Sequence, residues 1–263
     1  MKRMVVFLVA VFLVFNVYAQ KRVLFDNAHA QTAGSAHWTI ETGYSDFADD
    51  LTGAGFEVNA IEYAVTYDVL KKYDIFVVPE PNNPFSETEI KAITKFVSEG
   101  GGLFLIADHK GADRNRNGWD AVKIYNKFVD NFGFKFDAET YSIHPIMGKR
   151  LDCSLMENVK TVGTWGGTTL SVTDSKNAVG LIHLSSSKGG NPYIVAAIHG
   201  KGRVIAVGDS SPFDDGTMSN GKASRKLYNN YNQEGYHHRI MSVNFAKYLA
   251  GEIGEDLEIV KNK

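Results

Sequence analysis

The stretch SETEIKAITKFVSEGGGLFLIADH, residues 86–109, decides the fold. Ser86 and Glu89 form the S-x-x-E box that caps a helix, and Ile90, Ile93, Phe96 and Val97 recur on one helical face behind it. Gly100, Gly101 and Gly102 stop that helix. Leu103 to Ala107 is then apolar at every position, as a strand covered on both faces must be, and it delivers Asp108 and His109 at its tip.

The same rhythm extends in both directions. Upstream, Val23-Leu24-Phe25 runs into Asp26, and Tyr44, Phe47, Ala48 and Leu51 sit at helical spacing before Gly53 and Gly55. Residues 56–61 read as a second strand, Thr66 caps a short helix holding Val69 and Leu70, and residues 75–78 read as a third strand closed by Pro79-Glu80-Pro81. Downstream, Asp120 caps a helix carrying Ile124, Phe128, Val129 and Phe132. Repeated strand–helix alternation with all-apolar strands predicts an α/β chain with an open, mostly parallel, doubly wound sheet and helices on both faces. Residues 134–158 carry no periodic signal. The runs 170–172, 179–184 and 193–199 lie too close together for crossovers and predict an antiparallel extension. Residues 203–207 form a last apolar strand ending in Gly208-Asp209-Ser210-Ser211, and a helix through Ile240, Val243, Ala246 and Leu249 closes the chain. Without a repeat or a linker, residues 20–263 read as one domain.

Composition bounds the function. The chain has 263 residues, 44% hydrophobic and 22% charged, with 28 Lys and Arg against 30 Asp and Glu. The net charge of -2 gives no general attraction to nucleic acid. Cys153, the single cysteine, excludes an internal disulfide and a cysteine-rich zinc site. Met1-Lys2-Arg3-Met4, an apolar run from Val5 to Phe15 and a small-x-small pattern ending at Ala19 read as a signal peptide over residues 1–19. The run is too short to span a bilayer, so the expectation is an exported protein, periplasmic or secreted, without a membrane span once the leader is removed.

In open α/β sheets ligands bind beyond the carboxyl ends of the strands. Asp26 and His29, Glu80, Asp108 and His109, and Asp209, Ser210 and Ser211 all fall there, predicting a shared polar site. In the catalytic reading, whose residues are His109, Asp108, Asp26, Asp209 and Ser210, His109 is base or ligand, Asp26 and Asp209 orient it or hold metal, and Ser210 with backbone amides positions substrate, while Ser210 or Ser211 could supply a triad serine. His29, Glu80, Lys110, Ser211 and His238 are assigned to substrate binding. Asp113-x-Asn115-x-Asn117-Gly118-x-Asp120 opens like a calcium loop, alternate oxygen-bearing side chains around a glycine turn, although the twelfth position is Ile124 instead of a bidentate Glu. Calcium, or another divalent cation, is therefore the expected cofactor, with an Asx-rich loop satisfying its own backbone as the alternative. Asp26, His29, Asp108 and His109 also have ligand types suited to a transition metal. The neighbouring Lys110, Arg114 and Arg116 suit an anionic substrate instead. Residues 220–236, with Tyr228, Tyr231 and Tyr236, are long enough to cover the site and stack on a sugar.

Two stretches carry a resemblance: Val23 to Asp26 together with Phe96 to His109, and Gly202 to Ser211 followed by Asn244 to Ala250. They resemble the class I glutamine amidotransferase-like superfamily, in the branch of exported bacterial proteins related to gliding-motility and intraflagellar-transport domains. The resemblance spans most of the chain after the leader and implies a three-layer, flavodoxin-like fold. The catalytic cysteine of the amidotransferases has no counterpart, since the elbow position carries His109, so glutaminase activity is not implied. The leading expectation is an exported hydrolase-like protein with a divalent-metal-assisted site and no nucleotide cofactor. The alternative is a non-catalytic carbohydrate- or protein-binding module of the cell envelope, and a third reading is a structural subunit of an envelope assembly. A small molecule or glycan is the expected ligand.

Overall fold

The computed structural model describes residues 20–218 and 229–261; the expected leader at 1–19 and Tyr228 lie outside them. In chain order the elements are β1 (Arg22–Asp26), α1 (Ser45–Gly53), β2 (Glu57–Ile61), α2 (Tyr67–Leu70), β3 (Ile75–Pro79), α3 (Glu87–Ser98), β4 (Gly102–Ile106) and α4 (Ala121–Tyr125). They continue with β5 (Phe134–Phe136), β6 (Tyr141–Ile143), β7 (Thr164–Gly167), β8 (Leu170–Val172), β9 (Ala178–His183), β10 (Pro192–His199), β11 (Gly202–Val207), α5 (His238–Leu249) and α6 (Glu258–Lys261).

The main sheet has seven strands in the order β2-β1-β3-β4-β11-β10-β9. The β2, β1, β3, β4 and β11 strands run parallel, whereas β10 is antiparallel to both β11 and β9, the extension expected of 179–184 and 193–199; residues 170–172, expected with them, form β8 outside this sheet. Strand order reverses at the β1/β3 boundary, the position at which open α/β sheets bind ligands. The unplaced region supplies β5 and β6, which pair antiparallel with β8 and β7 in two small sheets. These strands are only three or four residues long, too short to show a period of two.

The local rules behave as the sequence suggests at α3, where the Ser86 side chain accepts from the Glu89 amide and the Glu89 carboxylate caps Ser86 in return. They fall short after Asp120. That residue caps α4 as expected, but the helix lasts five residues, and Val129–Phe132 is a separate 3-10 turn ended by Gly133 at φ 81°.

Alternating strand residues feed two cores. Val23, Phe25, Val77, Phe104 and Ile205 pack with Phe47 and Leu51 of α1 and Met241 and Phe245 of α5. Leu24, Phe76, Leu103, Leu105 and Val204 pack with Ile93, Phe96 and Val97 of α3 and Val122 and Ile124 of α4. The first core centres on Phe104, whose ring lies 6.0 Å from Phe47, 5.6 Å from Phe213 and 6.0 Å from Phe245. Among the described residues no helix is long and apolar enough to cross a membrane.

Because Phe104 joins a strand, two helices and the 211–213 turn, Phe104→Ala should cost about 3–5 kcal/mol. Urea unfolding checks this; a loss within the range of a surface substitution would show that the first core is not organised around it.

Candidate site at the carboxyl edge of the sheet

Strand register sets the heights of the acids. Phe25, Val77, Phe104 and Ile205 lie in one row across β1, β3, β4 and β11. Continued outward, that row places Asp108 beside Asp209, Glu80 beside Ala107, and Asp26 lower, at the end of β1. All four acids are buried, with Asp26, Glu80 and Asp209 at 0% exposure and Asp108 at 5%.

They divide into linked networks instead of lining one open pocket. At β1, Asp26 accepts from His29 Nδ1 at 2.8 Å and from Gln31 Nε2 at 2.9 Å. The other ring nitrogen of His29 lies 3.2 Å from Glu89, the acid that caps α3. Burial opposes the His29 imidazolium, but Asp26 and Glu89 on either side outweigh it and raise the pKa. Both ring nitrogens of His29 are thus committed within the protein.

At β3 and β4 the organiser is Arg114. Its Nε meets Glu80 Oε1 in a short contact, its Nη2 lies 3.3 Å from Glu80 Oε2 and 2.6 Å from Asp108 Oδ2, and its Nη1 donates to Ser35 Oγ at 3.1 Å. Asp108 Oδ1 accepts from the His109 amide at 2.7 Å and lies 2.8 Å from His109 Nδ1. Asp209 is held from the other side by Thr164 Oγ1 at 2.7 Å, the Trp165 amide at 2.6 Å and the Ser211 amide at 2.9 Å. Ser210 Oγ is buried beside the Glu80 carboxyl, near enough to favour its ionised form but without hydrogen-bond geometry.

One guanidinium does not neutralise this edge. Burial, then the charge of Asp108, pushes Glu80 up to about 8 despite Arg114. Burial and Asp108 push Asp209 to about 6, and burial with Asp215 pushes Asp214 to about 7 against the Gly216 amide that favours its ionised form. The hydrogen bond to Asp108 raises His109. Backbone strain also sits here, at Glu80, with φ 27°.

The remaining expected site residues fall as follows. His109 is half-buried and is the ionisable group of the Asp108 pair that reaches solvent. Lys110 is exposed and Ser211 half-buried. His238 does not present itself to a ligand: it is fully buried, accepts from the Gly163 amide through Nε2, contacts the Asn230 carbonyl through Nδ1, and is lowered by burial to about 4. Tyr231 is core, its hydroxyl on Asp50, and Tyr236 is half-buried 5.5 Å from Trp165.

The Asp113–Asp120 loop is folded as an Asx-rich turn. Asp113 accepts from the Asn117 and Gly118 amides, and Asp120 from the Lys123 and Gly111 amides. The side-chain nitrogens of Asn115 and Asn117 donate to the Asn82 carbonyl and to Asn83. Both aspartates of the motif are thus engaged by backbone amides, which is the alternative that the sequence offered to a cation loop. Among the described residues no group of three or more His, Cys, Asp and Glu is arranged to hold a metal ion, Asp26, His29, Asp108 and His109 included.

Sequence reasoning missed Arg114 as the partner of Glu80 and Asp108, treating it as a cation for an external anion. It also missed Glu89 as the second partner of His29, and Thr164 and Trp165 as donors to Asp209. The cations next to the strand-tip acids, Lys110, Arg114 and Arg116, were the available signal for the first, without saying which of them pairs; the others are joined only by tertiary contact.

Two outcomes follow from these networks. Acids raised in the folded state hold protons that the unfolded chain has released, so their stabilisation is full below about pH 4.5 and is lost as pH rises through the folded values. His29 and His109, both raised, act in the same direction, while neutral His238 opposes them only below about pH 6.5. Stability should therefore fall by on the order of 1–2 kcal/mol between about pH 6.5 and 8.5, with a shallower fall in Glu80→Gln; urea midpoints across that range check it. Asp113→Ala should cost about 1 kcal/mol, equally with calcium and with chelator; a loss seen only with calcium would restore the cation to this loop.

Comparison with known proteins places this architecture. The N-terminal domain of IFT52 (mmIFT52) superposes with a TM-score of 0.64 at 17% identity, covering 87% of this chain and 97% of that one. The cytoplasmic protein STM1381 from Salmonella typhimurium LT2 gives 0.59 at 13%, covering 87% and 99%. A ThuA-like protein from Bacteroides uniformis gives 0.52 at 15%, covering 92% and 98%. At these identities the likeness is one of fold. No curated protein matches the sequence. The family model described as "Domain of unknown function (DUF4350)" matches residues 37–225, most of the chain, and the protein belongs to that family.

Proposed function

We propose that the chain is a non-catalytic binding module of the cell envelope, of the carbohydrate- or protein-binding kind, whose ligand meets the carboxyl edge of the sheet at His109. The carrying observation is the condition of the acids: Asp26, Glu80, Asp108 and Asp209 are buried and matched to donors of the protein itself. Hydrolysis asks for a base or nucleophile facing the substrate, with donors aimed at the developing charge. Here His109 is held by Asp108 with a raised pKa, a state that favours a hydrogen-bond donor. Clefts of about 240 to 630 Å³ lie elsewhere, between β9 and α6, beside α2 and α3, and under the α1–β2 turn. The two cores on opposite faces of the sheet support a three-layer, flavodoxin-like arrangement, and the IFT52 likeness supports kinship with the class I glutamine amidotransferase-like superfamily. The basic-apolar leader supports export.

A hydrolase is the second reading, favoured by the 2.8 Å contact of Asp108 Oδ1 with His109 Nδ1. That contact orients the ring and leaves Nε2 to give a proton to a leaving group.

The purified chain from Gln20 onward, titrated calorimetrically with envelope oligosaccharides and short peptides, should show saturable binding to one class that weakens about tenfold or more in His109→Ala, equivalent to at least about 1.4 kcal/mol. Phosphoester, ester and glycoside substrates should give no turnover above blank. Turnover abolished by His109→Ala would overturn this reading in favour of the hydrolase.

A further inference from the structure

The Arg114 guanidinium rests in surroundings built to hold a cation. Glu80 takes its edge, Asp108 takes Nη2, Ser35 takes Nη1, and the Trp38 ring lies with its centroid 5.6 Å from Cζ. Asp214 and Tyr44 also feel its charge. Acid on the edge and an aromatic face beside it are how proteins recognise a guanidinium or ammonium ion. Ser210, 1% exposed, also lies beside the Glu80 carboxyl, where its hydroxyl favours the ionised form.

The group filling the seat comes from a loop lightly attached elsewhere. Between His109 and Asp120 the other ties to the sheet edge run from the Arg114 amide to Asn82 and from the Asn115 and Asn117 side chains to Asn82 and Asn83, the Asn83 contacts being exposed. Acids at strand tips and a cation on a surface loop form a lock whose key is carried by the chain itself.

We infer that Glu80, Asp108 and Trp38 form a receptor for a cationic side chain of a protein partner, arginine above all, which Arg114 occupies in the free chain and yields on binding. This rests on the binding-module reading and names its ligand class. Binding is then taxed by the fraction of molecules in which Arg114 has left.

The test uses acetyl-Gly-Arg-Gly-amide and its citrulline counterpart, which keeps the shape and lacks the charge. With wild type, hydrogen exchange of residues 110–119 should accelerate with the arginine peptide and not with the citrulline peptide. Arg114→Gln, which removes the internal competitor and preserves bulk, should bind the arginine peptide about tenfold or more tightly than wild type, and adding Glu80→Gln should abolish the gain. Should Arg114→Gln not fold, the wild-type exchange comparison decides alone. Equal response to both peptides, or none, overturns the inference. His109-dependent binding of a neutral oligosaccharide without an arginine response overturns it while leaving the binding module intact, and binding of neither class overturns both.

Discussion

The buried guanidinium of Arg114 makes the carboxyl edge of this sheet tolerable. Parallel strands with fully apolar interiors end together, and here their ends place Glu80, Asp108 and Asp209 out of water within reach of one another's charge. Removing such groups from solvent costs several kcal/mol each unless they are paired or protonated. Arg114 satisfies two of them at once, Thr164 and two backbone amides satisfy the third, and the remaining repulsion is relieved by protons.

A second economy connects the edge to the helices. Glu89 closes the capping box of α3 and also faces His29, which in turn holds Asp26 at the tip of β1. One carboxylate thereby fixes where α3 begins and how the loop after β1 is folded. The histidine that looked like a ligand in sequence is a strut between two elements, with the Phe85 ring tilted at 36° and its centroid 3.9 Å away.

The legibility of the sequence follows the range of the forces. Apolar strands, the Ser86 box and the Asp120 cap are set by neighbours within a few residues, and the antiparallel extension by short spacing, so all could be read in advance. The polar strand tips were legible as a group because strand ends in such a sheet share an edge. Their partners were not, because Arg114 with Glu80 and Thr164 with Asp209 meet across 34 and 45 residues. The calcium-like loop shows the limit of a motif: the same spacing of oxygens serves an Asx-rich turn, in which Asp113 accepts from the Asn117 and Gly118 amides. The brief β5, β6 and β7 strands were unreadable because three or four residues hold no period, and β8, though read as a strand, gave no sign of its pairing with β5.

Sheet order has a consequence for how the chain reaches this state. The β11 strand, formed by residues 202–207, inserts between β4 and β10 and carries Asp209 to Asp108 from about a hundred positions away along the chain. Until that pairing closes, the tip of β4 borders no strand on that side and its carboxylate keeps its hydration. The share of the edge's electrostatic penalty that lies between Asp209 and Asp108 thus depends on the pairing of β11 with β4, whereas the share between Glu80 and Asp108 is set by β3 and β4 alone.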